Sequence, residues 1–228
     1  MQINRKEFYK PEEIIDSVKS KVIEAIERQE PIDYLTFVPD GEPTLDINLG
    51  DEINLLKPLG IKIAVITNSS LMWKKDVRND LLNAEWVSVK IDAISQDIWR
   101  KINRPHRFLK LKKIIDGISE FSHSFKGDLT TETMLIQDIN DKDSELVKIA
   151  DFISYLNIKK SYISIPIRPP SEKWVKPANE DKINTAYQIF KEKNLDVEYL
   201  LGYEGNAFAY TGNVEEDLLS ITTVHPMK

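Results

Sequence analysis

WVSVKIDA, residues 86–93, decides the fold. In an extended chain Val87, Val89 and Ile91 fall on one face and Ser88, Lys90 and Asp92 on the other, because successive side chains of a strand point in opposite directions. One face is apolar and the other is polar and charged. SYISIPIR (161–168) divides in the same way, Ile163, Ile165 and Ile167 against Tyr162, Ser164, Pro166 and Arg168. In LTTETMLIQ (129–137), Thr130, Glu132 and Met134 share a face. Helices cover only the outside of a barrel's strands, so the apolar side is expected to pack on helices and the charged side to line an interior. A complete eight-unit barrel fills that interior with Val, Ile and Leu and needs roughly 250 residues. Here the interior reads as a polar cavity.

Working outward, further strand-like runs stand at 33–38 and 61–68, with a sixth at 196–203. Helical patterns stand at 11–30 and at about 50–58, 74–84, 108–125, 144–157 and 179–194. Alternation of the two points to βαβ crossovers and a parallel sheet. The pattern predicts an α/β fold, a partial, open (β/α)6-type TIM-like barrel in a single domain spanning 1–228. One element is out of order. Such a fold ordinarily begins with a strand, whereas the first element is the helix at 11–30, so the first strand is expected to be missing.

Composition sets limits. The 228 residues contain 41% hydrophobic and 30% charged side chains, and no apolar run approaches the ~20 residues that span a bilayer. The first ten residues, MQINRKEFYK, lack the apolar stretch of a signal peptide, so the expected location is the cytoplasm. A net charge of −6 argues against general binding of phosphate backbones while leaving room for a local basic patch. Nothing else points to a nucleic-acid partner. With no cysteine, the chain offers no thiolate to a metal or cluster. Three histidines without paired spacing make a metal hydrolase a poor reading. His225 and His123 read as structural and surface residues, and Trp86 and Trp99 as packing.

The strand at 33–38 stops in Pro39-Asp40-Gly41-Glu42-Pro43. At the carboxyl end of a parallel strand the last carbonyls lack a ladder partner, and Gly41 admits a backbone turn closed to other residues while Pro43 donates nothing. Either this is a plain turn or its carbonyls face a ligand, an ammonium being the best match. The other strand ends carry Asn68, Ser69 and Ser70, then Lys90 and Asp92, then Glu132, then Arg168. Lys90 with Asp92, or Glu132 with Arg168, equally describes structural ion pairs across the interior. Arg104 and His106, in INRPH, stand where a loop would close over substrate or where a helix simply stops.

Seven short motifs run in order: FVPDGEPTL (37–45), TNSSLM (67–72), VKIDA (89–93), INRPH (102–106), TETML (131–135), IPIRPP (165–170) and ITTVHPM (221–227). The series resembles the radical S-adenosylmethionine (SAM) superfamily, most closely an iron–sulfur oxidoreductase branch of it. The resemblance implies an enzyme core that binds SAM for reductive cleavage to a 5'-deoxyadenosyl radical. It implies that Gly41, Glu42, Pro43 and Thr44 receive the SAM amino group and that Asn68, Ser69 and Ser70 lie near its carboxylate or ribose. By the same resemblance Lys90 neutralises the carboxylate, Asp92 accepts from the ribose hydroxyls, Glu132 belongs to the cofactor set, and Arg104, His106 and Arg168 meet an unknown substrate. A [4Fe-4S] cluster and a reductant such as ferredoxin or flavodoxin follow from the family as well.

The departure is the cluster's C-x-x-x-C-x-x-C loop, which follows the first strand in the family and has no counterpart in this chain. Either the chain is a truncated product, or it is a non-catalytic SAM- or nucleotide-binding module, or a partner of a cluster-bearing chain. As it stands it is expected to be inactive. A Schiff-base lyase using Lys90 ranks below these, because Asp92 on the same face raises a lysine pKa instead of lowering it. Without a first strand, the edge at 33–38 is expected to be underpacked at Leu35 and Phe37 and to favour self-association.

Overall fold

The computed structural model describes residues 2–38, 41–167 and 170–200. Arg168, Pro39, Asp40, His225, the ITTVHPM motif and the end of the predicted sixth strand lie outside the described residues. Six parallel strands form one sheet in sequential order: β1 (Tyr34–Phe37), β2 (Lys62–Thr67), β3 (Trp86–Lys90), β4 (Asp128–Met134), β5 (Lys160–Ser164) and β6 (Val197–Leu200). Among the described residues each strand pairs only with its neighbours in sequence, which is the order of a barrel that has not closed.

The register carries the division of faces across the sheet. Ser88 stands beside Ile66 and Thr130, and Lys90 beside Glu132, which stands beside Tyr162. On the opposite face Val65, Val87 and Leu129 are in register and fully buried or nearly so. Each such side chain contributes roughly 1.5–3 kcal/mol by leaving water. Helices α1 (Pro11–Glu27), α2 (Leu49–Leu56), α3 (Lys75–Leu81), α4 (Gln96–Asn103), α5 (Leu111–Ser124), α6 (Asp143–Ser154) and α7 (Glu180–Glu192) separate the strands. Their apolar stripes supply Ile53, Leu81, Phe121, Ile149 and Phe190 to the same core as Val87 and Val89. Polar side chains on that face are paired: Thr131 Oγ1 donates to Ser161 Oγ at 2.9 Å, and Thr133 Oγ1 to the Ile91 carbonyl at 2.9 Å.

Two expectations are corrected. Helix α4 had no place in the sequence reading, because QDIWRKIN mixes its three apolar residues with five polar or charged ones. Gly41 does not have positive φ, and a Cβ there would meet nothing within 4 Å, so the local backbone does not require glycine. The segment before α1 forms no strand of the sheet; it makes one parallel bridge, Lys6 with Asp46. Leu35 and Phe37 are partly buried against the core, and among the described residues β1 pairs with β2 alone.

Glu52 of α2 is 2% exposed, and among the described residues its Oε1 has no hydrogen-bond partner. Burial, then the charges of Asp46 and Asp51, push its carboxyl up to about 7. The folded state therefore holds this proton more tightly than the unfolded chain, whose value stays near 4.5. Stability is present below about 4.5 and is lost as pH rises through about 7. Water reaching Glu52 from the groove it lines relieves part of the penalty, leaving about 2 kcal/mol. Glu52→Gln is expected to remove this slope and to raise the urea midpoint at pH 8 but not at pH 4.5. Equal midpoint shifts at both pH values would contradict the assignment.

Candidate functional site

The site is built at the carboxyl ends of β1 to β4. After β1 the chain enters a 3-10 turn, Pro43–Leu45, with Glu42 as its N-cap. The Glu42 and Pro43 carbonyls accept from the Leu45 and Asp46 amides at 3.1 and 3.0 Å, so these acceptors are already engaged once. A carbonyl retains a second lone pair for a ligand. The Glu42 carboxylate points inward and is 8% exposed. It accepts from Thr44 Oγ1 at 2.6 Å, the Asn68 amide at 2.7 Å, Thr67 Oγ1 and the Thr44 amide. Burial pushes Glu42 above the usual carboxylate range, and these donors offset part of that. One side chain thus ties the end of β1 to the end of β2.

The tie continues to β3. Ser69 sits in the left-handed region at φ 66°, a strained conformation for a residue with a Cβ, and its Oγ accepts from the Lys90 amide at 2.8 Å. Such strain persists where the surroundings over-determine it, and here Ser69 also donates its amide to Thr67 Oγ1 at 3.0 Å.

Lys90 crosses to β4, with Nζ 3.1 Å from Glu132 Oε1. Ser164 Oγ donates to the same oxygen at 2.7 Å. Burial pulls the Lys90 pKa down, but Asp92 and Glu132 outweigh it and hold the ammonium above the ordinary lysine range. A Schiff-base lysine needs the opposite. Asp92, 3% exposed, does not pair directly with Lys90: it accepts from the Met134 amide at 3.0 Å and from Asn103 Nδ2 at 3.2 Å. Burial raises Asp92, and Lys90 and the Met134 amide lower it in part.

Asn68, Ser69, Ser70, Lys90, Asp92 and Asn103 surround one cavity, roofed by Trp99, Leu109 and Ile114. Gly41, Glu42 and Pro43 line a separate groove with Phe8, Phe37 and Glu52, on the α1 side. The two are joined through the hydrogen bonds of Glu42, and Thr44 is buried beneath them. Arg104, the left-handed C-cap of α4 at φ 46°, pairs with Glu172 at 2.5 Å. It lines an outer groove with His106, and this groove shares Pro105 and Leu109 with the cavity.

Three positioning residues escaped the sequence reading. Asn140, fully buried, donates to the Asp92 and Met134 carbonyls at 2.8 Å each and accepts from the Ile136 amide at 2.7 Å, clamping the ends of β3 and β4. Glu145 accepts from the amides of Ile94 and Ser95 at 2.8 and 2.7 Å, fixing the start of α4. Asn103 holds Asp92, and among the described residues its buried Oδ1 has no partner. The only signal for Asn140 was its place in a turn sequence, DINDKD. Glu145 stands in the first turn of α6, where an acid suits its own helix and gives no sign of a distant partner.

Among the described residues no helix is long and apolar enough to cross a membrane, and no group of three His, Cys, Asp or Glu side chains could hold a metal. Lacking cysteine, these 228 residues do not fit a thiolate-held cluster.

Residues 2–153 match the Radical SAM superfamily. A UPF0026 protein of Methanocaldococcus jannaschii is 49% identical over 229 residues, covering 99% of this chain and 70% of that protein. A UPF0026 protein of Helicobacter pylori is 33% identical over 153 residues, covering 66% of this chain and 49% of that protein. The fold is similar to the crystal structure of a radical SAM methyltransferase from Sphaerobacter thermophilus, with a TM-score of 0.65 at 18% identity over 87% of this chain and 60% of that one. With sequential parallel strands, a polar site at their carboxyl ends and this match over its first two-thirds, the chain belongs to the radical SAM superfamily.

Proposed function

We propose that this chain is the SAM-binding core of a radical SAM enzyme. The observation that carries the reading is the polar cavity at the strand ends, where one cation, Lys90, stands among Asp92, Glu132 and the hydroxyls of Ser69 and Ser70. The residues fit SAM in kind. Lys90 would hold the carboxylate, the unpartnered Asn103 Oδ1 and the Asp92 carboxylate would accept from ribose hydroxyls, and the second lone pairs of the Glu42 and Pro43 carbonyls would accept from the ammonium. Gly41 leaves open space where a side chain would otherwise stand.

The cavity itself holds about 50 Å³. That admits a carboxylate or one edge of a ribose, whereas pockets for whole ligands run from roughly 300 Å³. SAM would therefore lie across the strand ends, from the Glu42 turn to the cavity, with only part of it enclosed. When bound and reductively cleaved it supplies a 5'-deoxyadenosyl radical that takes hydrogen from a substrate. The chain's own part is to bind and orient the cofactor and to exclude water with Trp99 and Leu109. Cluster ligands and the site for a reductant such as ferredoxin or flavodoxin would come from outside these 228 residues.

The lack of cysteine favours one second reading: a SAM- or nucleotide-binding module that works beside a cluster-bearing chain. Both readings predict binding. Titration calorimetry with SAM should show one site, weakened at least about tenfold by Asp92→Ala and by Lys90→Met, since hydrogen bonds to charged groups are worth ~1.5–3 kcal/mol. Circular dichroism of each variant should match the parent. Absence of SAM binding by the folded parent would sink both readings.

A further inference from the structure

RKINRPHRFLKLKK, residues 100–113, has seven Lys and Arg and no acid, in a chain whose net charge is −6. All seven cations are exposed. They are carried by the last turn of α4, the loop after it and the first turn of α5. Two are committed to acids: Arg104 to Glu172 at 2.5 Å and Lys112 to Asp116 at 2.8 Å. Among the described residues the other five make no ion pair.

Helix electrostatics explains only part of this run. Arg100 and Lys101 close α4, where cations suit the negative end of the dipole. Lys110, Lys112 and Lys113 stand at the N-cap and first turn of α5, which has no acid there. Cations at the positive end of a helix weaken it. The placement costs the fold stability and creates instead a helix N-terminus ringed by ammonium groups, suited to phosphate.

Aromatic groups are interleaved with the charges. Phe108 is 68% exposed, Arg107 lies 4.9 Å from its ring centre, and the His106 ring is 5.2 Å away, tilted by 51°. Lys101 lies 5.3 Å from the Trp174 ring. Arg100, Arg104, His106 and Arg107 line the outer groove that shares Pro105 and Leu109 with the cavity of Lys90 and Asp92. A cationic track with an exposed, arginine-backed ring suits a chain of phosphates whose bases can stack. An acidic protein surface would use the charges but would leave the ring without a role.

We infer that residues 100–113 form a binding surface for single-stranded nucleic acid leading into the cavity at the strand ends, which makes nucleic acid the substrate class. The substrate half of this inference rests on the SAM reading; the binding half does not.

The test is fluorescence anisotropy of the full chain with labelled 12-nucleotide RNA and DNA, and with polyglutamate as an acidic polypeptide, from 50 to 200 mM salt and without SAM. The nucleic acid is expected to bind more tightly than polyglutamate, and the tighter of RNA and DNA identifies its source. Arg100→Ala, Lys110→Ala and Lys113→Ala should each reduce the slope of log affinity against log salt by about 0.7. Phe108→Ala should weaken binding roughly tenfold and leave the slope unchanged. Polyglutamate bound as tightly as nucleic acid, or nucleic-acid affinity indifferent to Phe108→Ala, would overturn the inference. Because SAM binding is measured without nucleic acid, failure of either reading is visible alone.

Discussion

Glu42→Ala is expected to cost about 3–4 kcal/mol of stability and to abolish SAM binding. The carboxylate accepts from four donors on three residues, and Thr44 and Thr67 are 0% and 2% exposed. Alanine leaves those donors without an acceptor in a place water does not reach, and each orphaned buried group costs ~1–3 kcal/mol. Recovery of the carboxylate's desolvation penalty works the other way. It is the smaller effect because the donors are fixed by the 3-10 turn and the end of β2 and cannot turn outward together. For a chain of this size the loss corresponds to a fall of roughly 6–16 °C in melting temperature. Glu42→Gln keeps one oxygen but sets an amide N–H against a donor, so about half the loss is expected. Amide hydrogen exchange gives a local readout: the Asn68 N–H, held at 2.7 Å by Glu42, should exchange much faster in Glu42→Ala. If Asn68 stays protected and the midpoint moves by less than about 1 kcal/mol, Glu42 does not hold the strand ends together.

Why the strand faces were legible and this net was not is a matter of range. Alternation in 86–93 is written by adjacent residues, and the sheet only had to bury Val87, Val89 and Ile91 for Lys90 and Asp92 to face the other way. Glu42 and Asn68 are 26 positions apart, and Asn140 and Asp92 are 48. No periodicity records which buried amide a carboxylate will find, so their partnership needed coordinates. Helix α4 was missed because polar residues interrupt its apolar pattern; its N-cap, Ser95, makes no side-chain cap bond and its amide is held by Glu145, 50 residues away. Gly41 shows the converse. In sequence it read as a turn that only glycine could make, whether plain or facing a ligand, yet the backbone there could carry a side chain.

Gly117→Ala puts the packing beneath the site to the test, and a loss of about 3 kcal/mol is expected. Two effects compete at this position. Alanine favours an α-helix over glycine by ~1 kcal/mol, and position 117 lies in the middle of α5. Against that, a Cβ would stand 2.1 Å from the Met72 carbonyl oxygen and 2.6 Å from its carbon, distances no side chain tolerates. The carbonyl has little freedom to retreat, because Arg78 Nη1 donates to it at 2.8 Å. Helix α5 must therefore lift, and it carries Ile114, Ile118 and Phe121 out of full contact with the core. Overpacking of this kind costs ~1–3 kcal/mol, and here the obstacle is backbone, which places the expected value at the upper end. The consequence reaches the site, since Met72 closes the turn that begins at Ser69, its amide donating to the Ser69 carbonyl at 3.1 Å. Gly117→Ala should thus lower the melting temperature by roughly 6–12 °C and weaken SAM binding in the fraction that remains folded. A rise in melting temperature would mean that helix propensity wins and that α5 and the Ser69 turn are less closely packed than the 2.1 Å approach requires.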